Sequence, residues 1–182
     1  MTKTAKIYGD SLYDLAAEEK LTEEILPQME QVEQIMVLFK ENPDYLTLLS
    51  EPSIPKTERV GLLDKAFEGQ LSLYLLNYLK LLCESGMLRE YRDSCRQFKA
   101  RYNEDHNIAE AVVTTAVDLT EAQAQALKER LEKISGKTVL LTQKTDSTVL
   151  GGIRVELEGK QLDGTVQERL SSLKKKVTEI IV

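Results

Sequence analysis

The chain has 182 residues, 42% of them hydrophobic and 30% charged, enough for one sizeable core or two small ones and too mixed for a disordered segment. The net charge of -6 falls unevenly, with 13 basic and 19 acidic residues from Met1 to Asp105 and 11 of each from His106 to Val182. Neither part has the basic surplus, or the aromatics interleaved with Lys and Arg, from which a nucleic-acid binder gains by counterion release.

From Lys3 to Glu19 the apolar positions Ala5, Tyr8, Leu12, Leu15 and Ala16 recur at steps of three and four, predicting a first amphipathic helix. Thr22 reads as the N-cap of a second, with Glu23 and Glu24 in its first turn and Leu21 placed to staple against Leu26. Its stripe runs Ile25, Met29, Val32, Met36, Phe39, and Pro27 predicts a kink or a later start. Asn42-Pro43 opens a short third helix through Leu49, which SEPSIP breaks. Pro55 opens a fourth, with Val60, Leu63 and Phe67 inward and Gly69 closing it. Leu71 to Glu84 is apolar nearly all round, as a fifth helix inside a bundle should be. Beyond Gly86, Leu88, Tyr91, Cys95, Phe98 and Tyr102 mark a sixth.

The polar stretch from Asn103 to Asn107 sets the expected boundary between a domain at 1–105 and another at 106–182. Ala109 to Val117 is β-branched and predicts a strand; Thr120 and Gln123 form a capping box ahead of Ala124, Leu127, Leu131 and Ile134. Gly136 ends that helix, and Thr138 to Thr142 predicts a second strand. Ile153, Val155 and Leu157 alternate with charged residues in a third. Thr165 and Glu168 cap a last helix carrying Val166, Leu170, Leu173, Val177 and Ile180. The expected fold class is therefore mixed: an N-terminal all-α six-helix bundle plus a small C-terminal α+β domain ordered strand-helix-strand-strand-helix.

Chemistry is sparse. His106 is the only histidine, so no histidine-based triad or metal pair can be assembled. Cys83 and Cys95 are too few and too far apart for a zinc site, and their places around Gly86 put them at heights differing by roughly 9 Å, against a disulfide. Gly151-Gly152 is followed by no P-loop lysine and reads as a bulge or sharp turn. No catalytic, cofactor-binding or metal-binding residues are assigned. No run reaches the roughly 20 apolar residues of a membrane-spanning helix, and the amino terminus has neither a secretory apolar core nor an arginine-rich transit pattern, which predicts a cytoplasmic location.

The carboxyl half carries a pattern, DSTVLGGIRVELEGKQLDGTVQERLSSL from Asp146 to Leu173, that is similar to the signature of the F-type ATP synthase delta family. In that family an Asp-Pro-Ser-Leu-like turn precedes Gly-Gly and a strand, and an Ile-Asp-Gly-Ser-Val-like turn opens the last helix; Ser147, Thr165 and Gln167 depart from it. The resemblance extends to Tyr8 and Leu12, Pro55 and Arg59, Asn77-Tyr78-Leu79 and Gly86-Met87-Leu88, with Met87 standing where arginine is frequent and Gly9 where alanine is.

The resemblance implies a non-catalytic stator subunit of the proton-translocating synthase, without cofactors, at the cytoplasmic face of a bacterial cell membrane. Its helical domain would grip N-terminal helices of the headpiece alpha subunits, and its carboxyl domain would bind the b-type peripheral stalk. The positions carried over for the alpha-subunit groove are Tyr8, Ser11, Leu12 and Leu15 with Asn77, Lys80, Leu81 and Glu84; ordinary core packing is the alternative for each. For the stalk they are Leu170, Leu173, Val177 and Ile180, positioned by turns at Gly151, Gly152 and Asp163. The rival reading is a helical protein–protein adaptor of another complex, since fold alone does not fix function.

Overall fold

Thr2 caps the first helix by accepting the Ala5 N–H on its hydroxyl at 3.1 Å, and α1 runs Lys3–Glu18. In the computed structural model, which describes residues 2–41, 55–67, 69–166 and 168, the chain divides into two compact units, Met1–Tyr102 and Asn103–Val182. Helix α2 spans Thr22–Glu41. The Leu21 carbonyl accepts the N–H groups of Glu24 and Ile25, so Leu21 takes the flanking position expected of Thr22, and Pro27 lies inside the helix instead of delaying it. Pro55 likewise precedes α3 (Lys56–Phe67) and accepts from Glu58 and Arg59.

Ser72 caps α4 (Leu73–Glu84), and its own N–H donates to the Gln28 side chain at 2.8 Å, tying the start of α4 to α2. Gly86, at φ +69°, ends α4, and the Met87 N–H reaches back to the Leu82 carbonyl at 2.8 Å. That left-handed closure needs glycine. A 3₁₀ turn at Leu88–Glu90 leads into α5 (Tyr91–Asp105).

Each helix of the first unit gives one face to a single core. Tyr13 of α1 and Phe98 of α5 meet edge to face at 5.2 Å between centroids. Ile25, Met29 and Val32 come from α2, Leu63 and Phe67 from α3, and Leu75, Leu79 and Leu82 from α4. The buried Tyr91 hydroxyl donates to the Met29 carbonyl at 3.2 Å, joining α5 to α2. Burying each large side chain of this kind contributes roughly 1.5–3 kcal/mol before entropy is set against it.

Cys83 and Cys95 are free and buried. Burial pushes the Cys95 thiol from its ordinary 9.0 up to about 12, and raises Cys83, Tyr78 and Tyr91 as well. The sign follows: the unfolded chain ionises first, so their stabilising contribution is complete below pH 9 and is lost as pH rises toward 12. The urea midpoint of the first unit is therefore expected to hold up to pH 9 and to fall above it, with thiol reagents blocked until unfolding; a midpoint flat to pH 12 would contradict this burial.

The second unit begins with β1 (Ile108–Thr115) and crosses through α6 (Glu121–Ser135) to β2 (Thr138–Thr145), which pairs parallel with β1. Strands β3 (Ile153–Leu157) and β4 (Lys160–Asp163) add antiparallel on the other side, giving the order β2-β1-β3-β4. The Thr120–Gln123 capping box opens α6 and Gly136, at φ +70°, closes it. The register aligns Ala111 with Leu141 and Leu157, and Val113 with Val155, so one sheet face forms a core beneath Leu127 and Leu131 of α6.

The expected fold class is corrected by this arrangement. Among the described residues there are six α-helices in all, five in chain order before β1 and one, α6, within the sheet unit, and the sheet has four strands where three were expected. The third helix expected at Asn42–Leu49 lies outside the described residues. Strand β4 was missed for a physical reason: all four of its side chains are exposed, so KQLD carries no alternation of apolar and polar residues.

Candidate functional site

In α1, Ala5, Gly9, Leu12, Tyr13 and Ala16 turn inward. That leaves Ile7, Ser11 and Leu15 on the outer side, with Tyr8 half-buried at the edge. In α4, Leu75, Leu76, Tyr78, Leu79, Leu82 and Cys83 turn inward, leaving Leu73, Asn77, Leu81 and Glu84 outward at helical spacing. The rings of Tyr8 and Tyr78 meet edge to face at 6.5 Å, which brings α1 and α4 side by side.

The eight candidate groove positions therefore divide. Leu12 is 3% exposed and belongs to the core, whereas Leu15 and Leu81 are 40% and 47% exposed. Ser11, Asn77 and Glu84 are exposed, and Tyr8 is half-buried. The Lys80 ammonium lies 2.5 Å from Asp64 of α3, so it links α4 to α3 across the protein surface. Sequence reading missed Ile7, Leu62 and Leu73, of which Leu73 at 68% exposed is the most open. Their signal was present: each stands off its helix's buried stripe.

Exposed apolar side chains on two helices of a folded unit that meet at the Tyr8–Tyr78 pair offer a surface on which an apolar helix face can lie. Behind them α1 is fixed to α5. Arg101 bridges Asp10 at 3.4 Å and Asp14 at 3.1 Å and lies 5.2 Å over the Tyr13 ring, and Gln97 donates to Asp10 at 2.8 Å. Such partly exposed ion pairs are worth about 0–1 kcal/mol each, so they set orientation more than stability.

In the second unit, the turns at Gly151-Gly152 and Asp163 meet in space. Asp146 donates its N–H to the Thr115 carbonyl at 2.8 Å and takes the Thr148 hydroxyl and N–H on one carboxylate oxygen. Gly151 and Gly152 follow at φ +104° and +84°. The chain then returns through β3 and β4 to Asp163, whose carboxylate accepts from the Thr165 N–H at 2.9 Å and Arg154 Nε at 3.1 Å. Gly164 donates to the Ile153 carbonyl at 2.9 Å and Val166 to the Gly151 carbonyl at 3.1 Å, clasping the turns together.

These bonds hold both carboxyls below their ordinary 3.8, through Thr148 for Asp146 and Thr165 for Asp163. Their contribution is present above pH 3.8 and is lost as pH falls through the lowered values. The clasp ends at a helix start, where the buried Thr165 hydroxyl accepts the Glu168 N–H at 3.3 Å. Leu170, Leu173, Val177 and Ile180 lie outside the described residues. Among the described residues no three His, Cys, Asp or Glu side chains are grouped to hold a metal ion, and no helix is long and apolar enough to cross a membrane.

A sequence model of the family described as ATP synthase delta (OSCP) subunit matches residues 4–177. The chain is 29% identical over 177 residues to the ATP synthase subunit delta of Clostridioides difficile, covering 97% of each protein. It is 32% identical over 176 residues to the subunit of the same name from Lactobacillus gasseri, covering 96% of this chain and 94% of that one. In fold it resembles a chain of the Toxoplasma gondii mitochondrial ATP synthase hexamer, with a TM-score of 0.74 and 17% identity over 98% of both chains.

Proposed function

This chain belongs to the ATP synthase delta (OSCP) subunit family, and from that premise we propose that its first unit grips the N-terminal helices of the headpiece alpha subunits while its second binds a b-type peripheral stalk. Family membership makes it a non-catalytic stator component of the F-type synthase, a peripheral part of a membrane-bound complex. The proposed setting is the cytoplasmic face of a bacterial cell membrane.

The observation that carries the docking reading is that α1 and α4, which meet at the Tyr8–Tyr78 contact, each leave apolar side chains exposed, Ile7 and Leu15 on α1 and Leu73 and Leu81 on α4. A helix with apolar residues at spacings of three and four would bury against them. The adaptor must hold while the rotor turns, so dissociation must be slow. Buried apolar anchors supply that better than exposed charges, which act mainly on the rate of encounter. For the stalk, the proposal rests on the clasp, which holds the chain up to Thr165, and on the apolar positions Leu170, Leu173, Val177 and Ile180 that follow it in the sequence.

Co-sedimentation tests the bridge. Membranes carrying the stalk but stripped of headpiece and of this subunit are mixed with purified headpiece, with and without the intact chain. Headpiece is expected to sediment with the membranes only when the chain is added. Equal sedimentation without it would remove the adaptor role.

A further inference from the structure

Two glycines lie inside helices of the first unit, and they differ in surroundings. A Cβ at Gly61 of α3 would meet nothing within 4 Å, whereas one at Gly9 of α1 would lie 2.6 Å from the Ser94 carbonyl oxygen and 2.7 Å from Gln97 Cβ, both on α5. Glycine weakens a helix relative to alanine, so its place at a buried position is explained by the contact and not by propensity. Neither obstructing atom can swing aside. The carbonyl belongs to the α5 backbone, and Cβ of Gln97 is fixed by it.

We infer that Gly9 is a positioning residue that sets how deeply α1 seats on α5, and through that seating the width of the α1/α4 groove; the inference rests on the docking reading above. Tyr8, the preceding residue, points about 100° round the helix and meets Tyr78 of α4. Tyr13, one turn on, packs on Phe98 of the same α5 that Gly9 touches, and Asp10 takes the Gln97 amide. A methyl at Gly9 lifts α1 off α5 by the better part of an ångström, because packed interiors do not absorb such overlap in place. The outer residues Ser11 and Leu15 move with the helix, and the Tyr8–Tyr78 contact opens. Exposed Leu15 on α1 and Leu81 on α4 then present themselves to a partner helix at a changed spacing.

The test uses the intact chain and the N-terminal peptide of the alpha subunit from the same organism, read by calorimetric titration and by the NMR cross-peak between the Tyr8 and Tyr78 rings. Gly9→Ala is expected to bind about tenfold more weakly and to lose the cross-peak. Ile25→Val, which removes one buried methyl from α2 and leaves Gly9, Ser94 and Gln97 in place, is expected to lower the melting temperature with affinity within about twofold of wild type. Gly9→Ala with wild-type affinity and an unchanged cross-peak overturns the seating inference while the docking reading stands. A wild-type chain that fails to bind the peptide overturns the docking reading itself. If Gly9→Ala does not fold, Gln97→Gly takes its place: it removes one of the two atoms Gly9 rests on, and wild-type affinity with an unchanged cross-peak in that variant also overturns the inference.

Discussion

Gly152→Ala is expected to destabilise the second unit by about 2–5 kcal/mol, a large part of the stability of a small domain. Two costs add. Gly152 sits at φ +84°, where a side chain is strained, and its Cβ would lie 2.6 Å from the Gly164 carbonyl oxygen and 2.8 Å from Thr165 Cα. Those atoms are backbone, so relief requires the two turns to separate, breaking the Gly164 to Ile153 and Val166 to Gly151 hydrogen bonds. Gly159→Ala is the comparison. It shares the left-handed backbone, φ +77°, but has nothing within 4 Å, so it should cost only the conformational part, about 1–2 kcal/mol. Urea unfolding monitored by amide exchange in β1 and β3 would separate them. Equal losses would mean that the turns are not clasped.

The second large effect is on binding. Leu15→Asp combined with Leu81→Asp places two charges on the proposed docking surface and is expected to weaken the alpha-subunit peptide about 100-fold or more. Because both leucines are substantially exposed, the fold should lose little; surface changes of this kind usually stay within about 0.5 kcal/mol each. Leu12→Asp makes the informative contrast. At 3% exposed it would bury an unpaired carboxylate in the apolar core of the first unit, so it should unfold the unit, and its loss of binding would say nothing about the groove.

Leu12 and Leu15 also mark what could be read in the sequence. Both belong to one run of apolar residues on a helix, and the periodicity that predicts α1 cannot say which edge of a wide stripe meets the core and which meets solvent. The same limit applies to α4, apolar nearly all round, where Leu79 is buried and Leu81 is not. Elements with a strong local cause were legible. Thr120 and Gln123 announce α6, Gly136 ends it, and the alternation in Ile153–Leu157 makes β3. Strand β4 was not legible, because it is held by backbone pairing to β3 and buries no side chain.

What escaped sequence reading most completely is contact between distant residues. Gly9 looks like a poor choice for a helix until Ser94 and Gln97 are seen against it. Gly151-Gly152 and Asp163 read as two separate turns, yet each is shaped by the other. Ser147 stands where the family often has proline, and here the Asp146 carboxylate holds the turn by taking two hydrogen bonds from Thr148. That substitute is visible only in the geometry.

The most direct test of the central claim is calorimetric titration of the intact chain with the N-terminal peptide of its own alpha subunit, beside the Leu15→Asp, Leu81→Asp chain. Saturable binding by the wild type, lost in a variant whose melting temperature is unchanged, is the predicted result. Absence of binding by the folded wild-type chain, or equal binding by the variant, would contradict the assignment of α1 and α4 as the docking surface.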